Sequence, residues 1–156
     1  VPAASTPTCA PAQLSLRGSW YAEAGGQFTQ TLTFTNQGQL SCQLSGWPSF
    51  EALNARGDQS PGKNVNVRQD LPPQPAWRPV TIAAGGTASF DVYGGDFNPV
   101  QNRACPTTAS ALVIPRNTSW PVRVDIDIPS CGGFSVAPVV AGGTDHRMWN
   151  ETVPAA

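Results

Sequence analysis

The clearest pattern in the chain is the alternation over residues 27–36. Phe28, Leu32 and Phe34 fall on one face, and Thr29, Thr31, Thr33 and Thr35 on the other. Side chains on a strand alternate between two faces, so this run predicts a half-buried strand with its threonine face turned outward. Asn36-Gln37-Gly38 predicts the turn that ends it, because Asn and Gly tolerate positive φ.

Other runs share the period of two. Residues 13–17 put Leu14 beside Leu16, residues 49–54 follow as a strand, and residues 64–68 put Val65 beside Val67. Residues 80–83 and 87–93 flank Gly85-Gly86 and read as a tight hairpin, with Ala88, Phe90 and Val92 inward and Ser89, Asp91 and Tyr93 outward. Residues 111–114 and 134–140 read as buried strands. Over residues 121–128, Val122, Val124, Ile126 and Ile128 point inward, while Arg123, Asp125 and Asp127 point outward. Loops are expected over residues 18–26, carrying Trp20, Tyr21 and Glu23; over the proline-rich residues 70–79; over the polar residues 94–108; and over residues 115–120, which turn the chain and end on Trp120. No stretch has a helical period of useful length.

The expected fold is therefore all-β, a single antiparallel β-sandwich (immunoglobulin-like) of about seven to nine short strands. Residues 1–8 read as a leader remnant or linker, residues 9–140 as the domain and residues 141–156 as a C-terminal tail. The 16 prolines and 15 glycines suit many strands joined by turns.

Charge narrows the partners. Charged residues make up 12% of the chain and the net charge is -1, which argues against nucleic acid, whose phosphates demand a basic patch. There is no apolar run long enough to cross a membrane.

The cysteines are Cys9, Cys42, Cys105 and Cys131, with no C-x-x-C pair, and His146 is the only histidine. Zinc spacing is absent, and the set reads as two disulfides in an oxidising compartment. Three pairings are possible. Cys9–Cys42 and Cys105–Cys131 are favoured because they close the shorter loops.

The order of landmarks is more specific. A cysteine precedes the first strand and an Asn turn ends the second. Cys42-Gln43-Leu44-Ser45-Gly46-Trp47-Pro48 follows, then a Gly-rich hairpin at residues 83–87, Cys105 before Leu112-Val113-Ile114-Pro115, and Cys131-Gly132. This order resembles the secreted actinobacterial family filed as domain of unknown function 4232, over roughly residues 9–140. The family's hairpin Pro-Gly is Ala84-Gly85 here. The resemblance implies a secreted or lipid-anchored β-sandwich with two disulfides, and implies no activity.

Candidate chemistry is sparse. A serine triad would have to use His146, and no G-x-S-x-G turn is present. Asp125 and Asp127 on one strand face would lie about 7 Å apart. That spacing is compatible with glycosidic chemistry or Ca²⁺, although a solvated strand face with Arg123 explains it as well. Arg56-Gly57-Asp58 falls at an expected turn, where Gly and Asp belong on structural grounds. The aromatics carry more. Trp20, Tyr21, Trp77 and Trp120 fall on expected loops and Trp149 in the tail, and such rings serve as platforms for proteins or sugars.

The expected function is a secreted or cell-envelope binding module without catalysis or cofactor. It would contact a protein partner or a cell-wall component through these aromatics, with residues 142–153 as a docking arm in an assembly. A carbohydrate-binding module is the alternative, and a hydrolase using the acidic strand face a third.

Overall fold

The alternating run forms β2 (Gln27–Asn36), which lies between β1 (Leu14–Ala24) and β7 (Thr87–Gly95) in the largest sheet. The computed structural model of the chain describes residues 6–53, 65–67, 79–116, 118–130 and 134–142. Beyond β7 the sheet continues antiparallel to β14 (Phe134–Val136), and β15 (Val140–Ala141) also pairs with β7. One parallel pair closes this edge, β14 with β5 (Val65–Val67). A second, antiparallel sheet has β11 (Ser110–Ile114) between β4 (Ser49–Leu53) and β12 (Val122–Val124).

The apolar faces of the two sheets meet in one cluster. Leu32, Phe34, Phe90 and Val92 contribute from the large sheet, Phe50, Val113 and Val124 from the small one. The Phe50 and Phe134 rings meet edge to face at 5.1 Å, and Phe34 stacks on Phe90 at 5.6 Å. Each such fully buried side chain stabilises the fold by roughly 1.5–3 kcal/mol, which is why the period-two signal dictates these strands.

The described residues hold fifteen strands, five of them only two residues long, against the seven to nine expected. The excess comes largely from residues 94–108, expected as loop. Here lie β8 (Phe97–Asn98) and β9 (Arg103–Ala104), which pair with each other, and β10 (Thr107–Thr108), which pairs with β13 (Ile128–Pro129).

Four expectations are corrected. The threonine face of β2 is not turned outward: Thr31, Thr33, Ser89 and Asp91 are each at most 2% exposed. β2 is an interior strand, and its polar groups satisfy one another, which removes most of the penalty for burying them. Thr31 Oγ1 donates to Asp91 Oδ1 at 2.6 Å, the Tyr93 hydroxyl donates to Asp91 Oδ2 at 3.2 Å, and the Ser19 and Thr33 hydroxyls bond at 2.7 Å.

The Gly85-Gly86 turn does not close a hairpin. β6 (Val80–Ile82) pairs with β3 (Cys42–Leu44), whereas β7 pairs with β2, so the turn is a corner at which the chain changes sheets.

The Asn36 turn does not depend on positive φ at Asn36. Its buried side chain organises the turn instead: Nδ2 donates to the Leu40 and Ile82 carbonyls, both at 2.9 Å, and Oδ1 accepts from Gly38 N at 2.8 Å.

Lastly, residues 18–24 are strand, not loop. β1 runs to Ala24 and turns back through Gly25 (φ 63) and Gly26 (φ 81), a two-residue hairpin of the kind that needs two positive φ values.

Cys9 is bonded to Cys42, as expected, and both are buried. The bridge pins residues 7–9 along the free edge of β3, where Cys9 N donates to the Gln43 carbonyl and Gln43 N to the Pro7 carbonyl. Cys131, Arg56-Gly57-Asp58, Trp77, His146, Trp149 and, apart from Gly142, the proposed arm over residues 142–153 lie outside the described residues.

Candidate functional site

A single register shift decides which side chains face the end of the molecule carrying the Gly25-Gly26 turn. In β1, Gly18 lies opposite Leu32 and Trp20 opposite Thr31, so Ser19 is an extra, bulged residue. Directly opposed residues share a face, and one inserted residue moves every later side chain to the other face. Leu14 and Leu16 face the core before the bulge. After it the core-side positions pass to Tyr21, opposite Gln30, and Glu23, opposite Phe28. Trp20 goes to the other face, beside Thr31, and is half-buried there.

The bulge depends on a close approach at Gly18. A Cβ there would lie 2.8 Å from Ile126 Cγ2 and 2.9 Å from Gln30 Nε2. The missing side chain therefore seats both Ile126, which carries Asp127 with it, and the Gln30 amide.

Tyr21 and Glu23 thereby line a cleft of about 400 Å³. The β1–β2 hairpin forms one wall with these two residues and Gln30. Asp96 enters from the corner after β7, held by its own N–H on the Gly26 carbonyl and by Cys105 N on its carbonyl, both at 2.9 Å. Thr107, Asp127 and Pro129 close the far side, where β10 pairs with β13. The floor joins the core through a run of rings. Tyr21 stacks on Phe28 at 5.9 Å, and Phe28 meets Phe134 edge-on at 6.3 Å.

Electrostatically the cleft is one-sided: among the described residues it is lined by three carboxylates, those of Glu23, Asp96 and Asp127, and by no lysine, arginine or histidine. The Glu23 carboxyl is raised above its ordinary range, first by a hydrogen bond to Asp96, then by desolvation and by repulsion from the Asp96 charge. The Tyr21 hydroxyl bonded to Glu23 pulls the other way. Tyr21 is pushed up to about 12, mainly because burial disfavours a phenolate and then because Glu23 and Asp96 are negative. Among the described residues, no group of three or more His, Cys, Asp and Glu side chains is arranged to hold a metal ion.

The sequence-derived candidates do not assemble. Trp20 and Tyr21 lie on opposite faces of β1. Trp120, 60% exposed, sits in the turn joining β11 to β12, whereas Thr107 and Pro129 lie beyond the other ends of those strands, so the ring is remote from the cleft. Asp125 and Asp127 lie past the end of β12 at Val124, and both are exposed. Asp125 pairs with Arg123 Nε at 3.2 Å, while Asp127 lines the cleft.

Gln30 is the residue that pattern reading passed over. It stands between Phe28 and Leu32 on the apolar face of the most regular strand, and a polar residue at a core position is itself a signal. Gly18 inside a strand pattern is another, since it marks a bulge or a close backbone approach.

Residues 9–143 match the family described as a domain of unknown function, DUF4232. No curated protein matches the chain, and no solved structure does.

Proposed function

The chain belongs to the DUF4232 family, and from that premise we propose that it is a non-enzymatic binding module of the cell exterior, secreted or attached to the envelope. In this reading the two facing sheets form an immunoglobulin-like β-sandwich. Cys105, buried and disulfide-bonded, pairs with Cys131, the remaining cysteine of the chain. The module contacts a protein partner through the end that holds the cleft.

The observation that carries this reading is the clustering of exposed apolar side chains at that end. Tyr21 is 39% exposed, Phe97 41% and Val100 93%. Phe97 starts β8, Val100 lies in the turn between β8 and β9, and the flanking Asp96 and Ala104 line the cleft. An apolar rim around a polar centre is a surface that partner proteins use. The sugar-binding alternative loses support because the described aromatics do not form one platform. The hydrolase alternative loses support because Asp125 pairs with Arg123 and does not line the cleft that Asp127 lines.

The test compares retention on the envelope and secreted-protein fractions of the producing cell. The wild-type chain and Trp120→Ser are expected to bind alike, and Phe97→Ser/Val100→Ser to lose most retention. Equal binding by the double variant overturns the reading, and retention on a protein-free polysaccharide fraction replaces it with sugar binding.

A further inference from the structure

We infer that two copies of this chain pair through the outward face of the small sheet, about a twofold axis parallel to β11. This surface is separate from the cleft end, and the inference goes beyond the binding role proposed above.

The register defines the face. Leu112 lies opposite Glu51 on one side and opposite Arg123 on the other. Directly opposed residues share a face. Ala111 and Val113, both 0% exposed, take the core side, so Glu51, Leu112 and Arg123 form a row on the outward side. Ile114, opposite Ser49, is the next outward position on β11. Leu112 and Ile114 are half-buried, and Ser49 and Arg123 are exposed. None of these residues lines the cleft. The outward positions of β2 and β7 in the large sheet differ, since Thr31, Thr33, Ser89 and Asp91 are at most 2% exposed.

Charge indicates what covers the face. The row reads negative, apolar, positive, with neighbouring strands about 4.8 Å apart. When a sheet face packs on its own copy, a twofold axis in the plane of the interface runs either across the strands or along them. An axis across the strands would set Glu51 over Glu51 and Arg123 over Arg123, and like charges so placed repel. An axis along β11 exchanges the two sides of the row. Each Glu51 then faces Arg123 of the second copy, and Leu112 faces Leu112. Arg123 already bonds Asp125 through Nε at 3.2 Å. A guanidinium carries five donors and a carboxylate accepts several, so contacts within each chain persist in the pair.

The face is small. Its strands, the longest of five residues, span roughly 14 by 16 Å. That is well under the roughly 800 Å² per partner of a standard stable complex, so the dimer is a weak one.

The experiment is sedimentation velocity of the full chain from about 10 μM to about 1 mM, the range in which a weak dimer declares itself. Wild type should pass from monomer toward dimer, less so in added salt. Glu51→Arg and Arg123→Glu should each weaken association at least about tenfold. An equimolar mixture of these two variants should restore it, because both facing pairs are then of opposite sign. Phe97→Ser/Val100→Ser should associate like wild type even where it loses the partner, so the two readings fail separately. A wild-type chain that stays monomeric, wild-type association by Arg123→Glu, a mixture no stronger than its components, or loss of association in Phe97→Ser/Val100→Ser overturns the inference. Should Glu51→Arg not fold, Arg123→Glu decides alone.

Discussion

Gly18 in β1 and Ile126, in the segment between β12 and β13, leave no space for a side chain between them: a Cβ on Gly18 would stand 2.8 Å from Ile126 Cγ2. Gly18→Ala therefore sets two effects against each other. Restricting the unfolded chain stabilises by roughly 0.4–1 kcal/mol, while overpacking costs roughly 1–3 kcal/mol. The second wins, so Gly18→Ala should lower stability by about 1–2 kcal/mol in urea unfolding. It should also shift the Gln30 side-chain amide, whose nitrogen is the other atom in the way. A variant of wild-type stability with an unmoved Gln30 signal would show that the bulge does not need the glycine.

Asn36 makes a second sharp test. It is fully buried, and its amide serves Leu40, Ile82 and Gly38 at once. Asn36→Ala strands the Ile82 carbonyl and the Gly38 N–H, so a loss of about 2–4 kcal/mol is expected. Asn36→Gly should be no better, because the turn relies on the side chain and not on backbone freedom. Recovery of stability by the glycine variant would restore the positive-φ explanation.

The Cys9–Cys42 bridge spans a sequence separation of 33. Loop-closure entropy gives such a cross-link about 3–4 kcal/mol, on the model in which it acts by constraining the unfolded chain. Cys9→Ser/Cys42→Ser leaves the other two cysteines untouched and should move the urea midpoint down accordingly. The edge pairing of residues 7–9 on β3 should loosen with it, seen as faster amide exchange at Gln43. An unchanged midpoint would mean that the pairing along β3, rather than the bridge, holds this edge.

The raised Glu23 carboxyl has a definite sign. A group whose folded pKa exceeds its unfolded value, about 4.3 for glutamate, binds more protons in the native state across the window between the two. Its contribution is complete below the unfolded pKa and is lost as pH rises through the folded one. Glu23 is solvent-exposed, so the slope should be shallow. Glu23→Gln should flatten it, and Asp96→Asn should bring the Glu23 titration, followed by side-chain carbon NMR, back toward the ordinary range. A Glu23 midpoint that does not respond to Asp96 would remove the hydrogen bond to Asp96 as its cause.

Much of the architecture is legible in the residues themselves. The alternation in residues 27–36 and 87–93 places Phe28, Leu32, Phe34, Phe90 and Val92 in the core, where they are found. Burying such faces is the largest stabilising term available, so the pattern and the strand are one physical fact. Cys9 and Cys42 pair as the shorter loop suggests. Legibility ends where outcome depends on what lies across the sheet. Thr31 and Asp91 look like a solvent face along the chain, but an interior strand buries both faces once its polar groups satisfy each other.

The sequence by itself points to the principal core strands and the family and favours the Cys9–Cys42 tie, because these follow from local periodicity and from the order of a few landmarks. Tertiary structure alone decides the cleft. Whether Trp20 or Tyr21 faces it hangs on one bulged residue, Ser19, and that slip is chosen by contacts with Gln30 and Ile126, 12 and 108 positions further along the chain from Gly18. A register shift leaves the local pattern almost unchanged and reverses the face of every residue after it. That is why Glu23 and Asp127, separate in sequence, line one cleft.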